Sequence, residues 1–303
     1  MEMRRLGKNG PEVSVIGFGA WAMGGRGWGE VDDRETVAAV QRSIDLGSTF
    51  VDTAEVYGNG HSEELVGQAI AGRRQEVFLA TKVGGSDLSR KHIMEAIDQS
   101  LRRLQTEYVD LYQLHWPDEH HPVEESMRAL DDLVRAGKVR YVGVSNFDVP
   151  LLRRCLSVRH VDSLQPVYSL LNRGIEEEIL PFCQQHGIGV VVYSPMAKGL
   201  LTGKYTPDAT FARDDVRAED PLFQGERFRR NLAFVDRLRD LARAHGVTVA
   251  QLALNWTLQH PGVTVAIAGA KRPAQVEENV GGQGWQLTPE ELRQIEAWLQ
   301  ELT

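Results

Sequence analysis

Eight short runs of apolar and β-branched residues recur along the chain, separated by longer stretches in which apolar positions fall every three or four residues. The first four runs are Val15–Gly19, Thr49–Ala54, Val77–Lys82 and Val109–His115. Val139–Ser145, Ser163–Tyr168, Gly189–Ser194 and Val263–Gly269 complete the set. An unbroken apolar run such as Val190-Val191-Val192 is what a strand buried on both faces requires. The stretches between them carry helix signals. Asp33–Leu46 places Val37, Val40 and Ile44 on one face, and Ser89 is a good cap for a helix over Lys91–Leu104. Pro122–Ala136 begins with proline and stops before Gly137. Asn231–His245 and Val249–Gln259 both fall between the seventh and eighth runs, and Pro289–Leu299, capped by Thr288, ends the pattern.

Strand and helix alternate until eight strands are used, which predicts a parallel α/β sheet. Closed, such a sheet is a (β/α)8 TIM barrel, the expected fold; an open doubly wound sheet is the competing topology. Residues 4–14, with Lys8-Asn9-Gly10 at their centre, read as an N-terminal β-hairpin ahead of the barrel, because Asn-Gly suits a tight turn. No Pro/Ser/Gly tract divides the chain, so residues 1–303 read as a single domain. The longest irregular region, Gly199–Gly225, has the size of a functional loop.

Composition narrows the chemistry. Apolar residues make up 42% and charged residues 25%, enough for a sizeable core, and the formal net charge is −8. No run of Lys or Arg exceeds two residues, so the chain lacks the basic patch that nucleic acid or an anionic membrane demands. Cys155 and Cys183 are the only cysteines, which suits a reducing compartment; paired cysteines and HExxH are absent, so no metal site is expected. No secretory apolar segment follows Met1, and no window approaches 18 apolar residues, so a cytoplasmic location is expected.

In a barrel, the active site is built at the C-terminal ends of the strands. Those positions carry Asp52 with Tyr57 just beyond it, Lys82, His115, Ser145-Asn146, Gln165 and Tyr193-Ser194. Singly, each has a plain structural reading: Asp52 as a loop cap, Tyr57 as packing, Lys82 reaching the rim, His115 as a satisfied core histidine. Together they suit carbonyl reduction. Hydride arriving at carbon leaves charge on oxygen, and a proton donor must meet it. A lysine about 4 Å from a tyrosine oxygen would favour the phenolate by roughly 4 kcal/mol, near three pKa units. An aspartate would hold that lysine charged, and a histidine would orient the carbonyl oxygen.

Three segments, Phe50-Val51-Asp52-Thr53-Ala54-Glu55-Val56-Tyr57-Gly58, Ala80-Thr81-Lys82-Val83 and Leu114-His115-Trp116, resemble the tetrad segments of the aldo-keto reductases. Gly143-Val144-Ser145-Asn146-Phe147, Tyr193-Ser194-Pro195 with Gly199-Leu200-Leu201-Thr202-Gly203-Lys204, and Gly269-Ala270-Lys271 continue the likeness in family order. It extends over residues 17–279 and is nearest to bacterial general-stress and inositol-operon reductases. The resemblance implies a barrel binding NADP(H) across its mouth and reducing aldehydes or ketones, with Asp52, Tyr57, Lys82 and His115 as the catalytic tetrad. Tyr57 would be the general acid. Ser145, Asn146 and Gln165 would hold the nicotinamide carboxamide, Tyr193 would stack on its ring, and Ala20, Trp21 and Asp52 would border the cofactor. Ser194, Pro195, Met196, Lys198, Gly199, Leu200 and Lys204 would contact the pyrophosphate. Gly269, Ala270, Lys271, Gln275, Glu278 and Asn279 would contact the adenosine 2′-phosphate half.

Some of this has independent physical support. Lys271-Arg272 stands directly before Pro273, a favoured first residue of a helix, and cations beside a helix N-terminus suit a phosphate. NADPH is therefore favoured over NADH. Trp21, Trp28 and Trp116 would wall an apolar substrate site with Tyr57 and His115, although nothing selects one carbonyl compound. Two other patterns mislead. Gly17–Ala22 fits G-x-G-x-x-A, but Met23-Gly24-Gly25-Arg26-Gly27 prevents the helix a dinucleotide fingerprint needs. Gly199–Lys204 has one residue too few for a phosphate loop, and Tyr205 stands where Ser or Thr belongs. Two rival readings are a redox-sensing subunit like the potassium-channel β-subunits, against which His115 argues, and a barrel aldolase or isomerase with Lys82 as Schiff-base nucleophile. The latter has no use for Asp52 and Tyr57 together.

Overall fold

A computed structural model describes residues 1–25, 27–85 and 87–302. Arg26, part of the segment that argues against a dinucleotide fingerprint, lies outside them.

The chain opens with a hairpin of β1 (Met3–Arg5) and β2 (Glu12–Ser14), then runs through eight strands: β3 (Ile16–Gly19), β4 (Phe50–Asp52), β5 (Phe78–Val83), β6 (Val109–Leu114), β7 (Val139–Ser145), β8 (Ser163–Gln165), β9 (Gly189–Tyr193) and β10 (Val265–Gly269). All eight pair in parallel, in the order β10-β3-β4-β5-β6-β7-β8-β9, and β9 pairs back to β10. The sheet is a closed barrel, and the open alternative is excluded.

Helices α1 (Asp33–Asp45), α2 (His61–Ala69), α3 (Arg90–Leu104), α4 (Val123–Arg135), α5 (Val149–Leu156) and α6 (Ile179–His186) cover its outside in the gaps between strands. They are followed by α7 (Gly225–Ala244), α8 (Val249–Gln259), α9 (Pro273–Val280) and α10 (Pro289–Gln300). Caps fix several starts: Asp32 accepts from the backbone of Arg34 and Glu35, Ser89 from that of His92, and Thr288 forms a capping box with Glu291.

Three departures from expectation have a physical cause in the structure. The sixth barrel strand, β8, stops at Gln165 rather than Tyr168, because Pro166 has no N–H for the ladder; only an isolated bridge from Val167 to Tyr193 follows. Helix α7 starts at Gly225, six residues before Asn231, because Phe228 already buries its ring one turn ahead of Leu232. The hairpin connection is not an Asn-Gly turn. The left-handed residue is Gly7 (φ +61°), and a Cβ there would meet the carbonyl oxygens of Gly187 and Asp162 at 2.7 and 2.9 Å. That close approach lets Leu6 and Val13 bury against the lower barrel lumen, where they pack with Phe50, Leu111, Val191 and Val265.

Candidate active site

Alternation along the strands decides what meets inside the barrel. Phe50, Ala80, Leu111 and Val191 form an apolar layer in the lumen. Two residues further on, the same strand faces carry Asp52, Lys82, Gln113 and Tyr193, so the next layer is polar. Both Asp52 oxygens are occupied: Oδ1 accepts from Lys82 Nζ at 2.5 Å, and Oδ2 from Gln165 Nε2 at 2.9 Å and Gln113 Nε2 at 3.4 Å. Lys82 is fully buried and donates to the Thr53 carbonyl at 2.9 Å and the Tyr57 hydroxyl at 3.3 Å. Three donors thus meet three acceptors.

Burial pushes the Lys82 ammonium toward its neutral form, but Asp52 and then Tyr57 outweigh it and raise its pKa. Tyr57 departs from expectation. Burial raises the phenol above its ordinary value, and the lowering by Lys82 does not overcome it. At neutral pH the hydroxyl is protonated, the form a proton donor needs.

His115 follows β6, and its ring meets that of Tyr57 edge-on, with centroids 5.6 Å apart. Burial, and then the charge of Lys82, push its imidazole down to about 3. A folded-state pKa below the ordinary 6.5 means that acidification from about 6.5 to 3 protonates the unfolded chain first and costs stability. Above that window the ring is neutral. Nitrogen-detected NMR of the imidazole should therefore show His115 unprotonated at pH 5; an inflection near 6.5 assigned to this ring would contradict its burial.

The rings of Trp28, Trp21, Tyr57, His115 and Trp116 stand in series, with successive centroids 5.0, 6.3, 5.6 and 6.3 Å apart. Trp116 is the exposed end, at 52%. On the other side of the lumen, Ser145 Oγ donates to the Gln165 carbonyl at 2.8 Å. Asn146 Nδ2 donates to Ser145 Oγ at 3.0 Å and to the His115 carbonyl at 3.1 Å, and its Oδ1 accepts from the Tyr193 hydroxyl at 2.9 Å. Asn146, Ser194 and Lys198 hold left-handed φ values of 63°, 53° and 54°, costly for residues with a Cβ.

All these groups border one cleft of about 1380 Å³ that continues past Ser194–Gly199 to Lys204, Arg217, Lys271 and Arg272. Among the described residues, Lys204 and Arg272 have no carboxylate partner, whereas Lys198 is paired with Asp220 at 2.7 Å. Lys271 donates to the Trp28 carbonyl, and its backbone N–H to Gln275 Oε1 at 2.8 Å. Burial first, then neighbouring cations, lower both Lys204 and Lys271. This end of the cleft is a positive pocket.

Most residues expected at the site line the cleft, including Trp21, Gly269, Ala270, Glu278 and Asn279. Ala20 and Leu200 do not; both are fully buried in the core. Lys82 lies behind Tyr57. Sequence reasoning missed Gln113, although a polar residue inside an apolar strand is the same signal that marks Asp52. It also missed Arg217, which pairs with Asp215 and lies 5.4 Å from the Trp28 ring centre, in a loop with no periodicity to read.

The family model described as "Aldo/keto reductase family" matches residues 15–300. The chain belongs to the aldo/keto reductase family. It is 40% identical to aldo-keto reductase YhdN of Bacillus subtilis, over 99% of this chain and 94% of that one. A solved glycerol dehydrogenase, AKR11B4 from Gluconobacter oxydans, superposes with a TM-score of 0.91 at 38% identity, covering 99% and 95% of the two chains. An aldo/keto reductase from Klebsiella pneumoniae, solved with NADP and acetate, gives 0.79 at 36% identity, covering 97% and 94%. The chain is therefore an oxidoreductase of this family. Among the described residues, no helix is long and apolar enough to cross a membrane, and no cluster of three metal-ligating side chains occurs.

Proposed function

We propose that residues 1–303 act as one reductase domain that reduces aldehydes or ketones to alcohols with NADPH, Tyr57 supplying the proton. The observation that carries this reading is the Tyr57 hydroxyl 3.3 Å from a fully buried ammonium, itself held by Asp52 at 2.5 Å. Lys82 gains little from the neutral hydroxyl but much from the phenolate left when Tyr57 gives up its proton. Its stabilisation is therefore concentrated in the transition state. Neutral His115, beside Tyr57, would donate a hydrogen bond to the carbonyl oxygen and orient it. Trp21 and Trp116 would flank an apolar substrate.

The cofactor supplies hydride when bound. NADPH fits the residues present, since Lys204 and Arg272 line the cleft without an ion pair among the described residues and a phosphate would supply their counter-charge. Ser145, Asn146 and Gln165 would hold the carboxamide and Tyr193 the ring; the Klebsiella relative was solved with NADP. NADPH oxidation with a panel of aldehydes tests the activity, and absence of turnover across aromatic and aliphatic members would refute it.

Arg272 would read the 2′-phosphate and Lys204 the pyrophosphate. Arg272→Ala should then weaken NADPH by about 1.5–3 kcal/mol, roughly 10- to 100-fold, and NADH hardly at all. Lys204→Ala should weaken both cofactors. Fluorescence titrations separate the two roles, and equal losses of NADPH and NADH in Arg272→Ala would remove it from 2′-phosphate recognition.

A further inference from the structure

Glu55 stands two residues before Tyr57 and has no part in the chemistry described so far. Its side chain is 15% exposed and does not line the cleft. Glu55 Oε1 accepts a hydrogen bond from the Gly84 backbone N–H at 2.8 Å, tying the loop after β4 to the loop after β5. Gly84 in turn backs the imidazole. A Cβ built on it would stand 3.4 Å from His115 Nδ1, 3.7 Å from His115 Cβ and 2.9 Å from Val56 Cγ1.

The contact matters because of what His115 lacks. A functional histidine commonly has its second nitrogen bonded to a carboxylate or carbonyl that sets the ring's orientation. Here Nδ1 is buried with no hydrogen-bond partner among the described residues. The bonds around His115 hold its backbone instead: its N–H donates to the Val83 carbonyl at 2.9 Å, and its carbonyl accepts from Asn146. The ring is left to be fixed by packing against Tyr57, Trp116 and the Gly84 backbone.

We infer that Glu55 is a positioning residue for His115, acting through the Gly84 backbone without touching substrate. The inference rests on the orienting role proposed for His115. The hydrogen bond needs an oxygen acceptor rather than a charge, and burial already raises the Glu55 carboxyl. A rival role is the contact of Glu55 with His92 on α3, at 3.8 Å, which would serve folding alone.

The test is a double-mutant cycle with saturating NADPH. Glu55→Ala should lower kcat roughly tenfold, because a displaced ring misorients the carbonyl, with NADPH affinity unchanged. Glu55→Gln keeps the acceptor and should restore most of the turnover. In a His115→Ala background, Glu55→Ala should add less than about twofold. Gly84→Ala, whose Cβ would crowd Val56 Cγ1 at 2.9 Å and so shift the backbone that packs on the imidazole, should reproduce the loss should Glu55→Ala fail to fold. Wild-type kcat in both Glu55→Ala and Gly84→Ala would overturn the inference. So would a tenfold loss that persists without His115, or failure of Glu55→Gln to rescue a folded protein. Normal turnover in His115→Ala alone would instead overturn the role proposed for the histidine, and with it the basis of this inference.

Discussion

Tyr57→Phe should lower kcat on the order of 100-fold or more while leaving NADPH affinity almost unchanged. The substitution keeps the ring, and with it the packing against Trp21 and His115, and deletes only the hydroxyl that lies 3.3 Å from Lys82 Nζ. Tyr57 is proposed for no cofactor contact; Ser145, Asn146, Gln165 and Tyr193 are. The loss should therefore appear in turnover at saturating aldehyde and not in a fluorescence titration of NADPH. Because burial holds the phenol above its ordinary pKa, the wild-type donor stays protonated through neutral pH. Its activity in the reductive direction should not rise on acidification through pH 7. Near-normal turnover in Tyr57→Phe would mean that another group gives the proton, and the assignment of Asp52, Tyr57, Lys82 and His115 would have to be abandoned.

What could be read from the sequence follows the range over which each signal acts. The eight strands were legible because burial on both faces leaves continuous apolar runs, and Asp52 and Lys82 stood out as charges inside such runs. Gln113 obeys the same rule in Val109–Leu114, but an amide interrupts an apolar run less visibly than a charge does. Features set by contacts between distant segments were not legible. The fit of Leu6 into the barrel floor depends on Gly7 meeting Gly187 and Asp162, which outweighs the local preference of Asn9-Gly10 for a tight turn. The direction of the Tyr57 shift needed the depth of burial, and a charge-pair argument supplied only the opposing effect of Lys82. The engagement of Lys271 by the Trp28 carbonyl, which leaves Lys204 and Arg272 as the lining cations whose side chains make no hydrogen bond among the described residues, likewise joins segments far apart in sequence.

The ion pair at the centre of the site should be costly to break and cheap to remove whole, while turnover is lost either way. Lys82→Met leaves Asp52 buried with only the two glutamine amides, and Asp52→Leu leaves a fully buried ammonium with the Thr53 carbonyl and Tyr57. Each single substitution should lower stability by about 3–5 kcal/mol, because it strands one largely buried charge without its counter-ion. The double replacement removes both charges, and its loss should be well below the sum of the singles. Recovery should stop short of wild type, since Gln165 Nε2 and Gln113 Nε2 then lose their acceptor. Turnover should behave differently. Without Lys82 the phenolate left after proton transfer has no counter-charge, so the repaired double variant should remain slow although it is folded. Urea unfolding beside NADPH oxidation measures both quantities on the same samples. Additive stability losses would show that the two charges do not compensate each other. A double variant with wild-type turnover would show that the pair serves the fold alone, leaving Tyr57 to act without it.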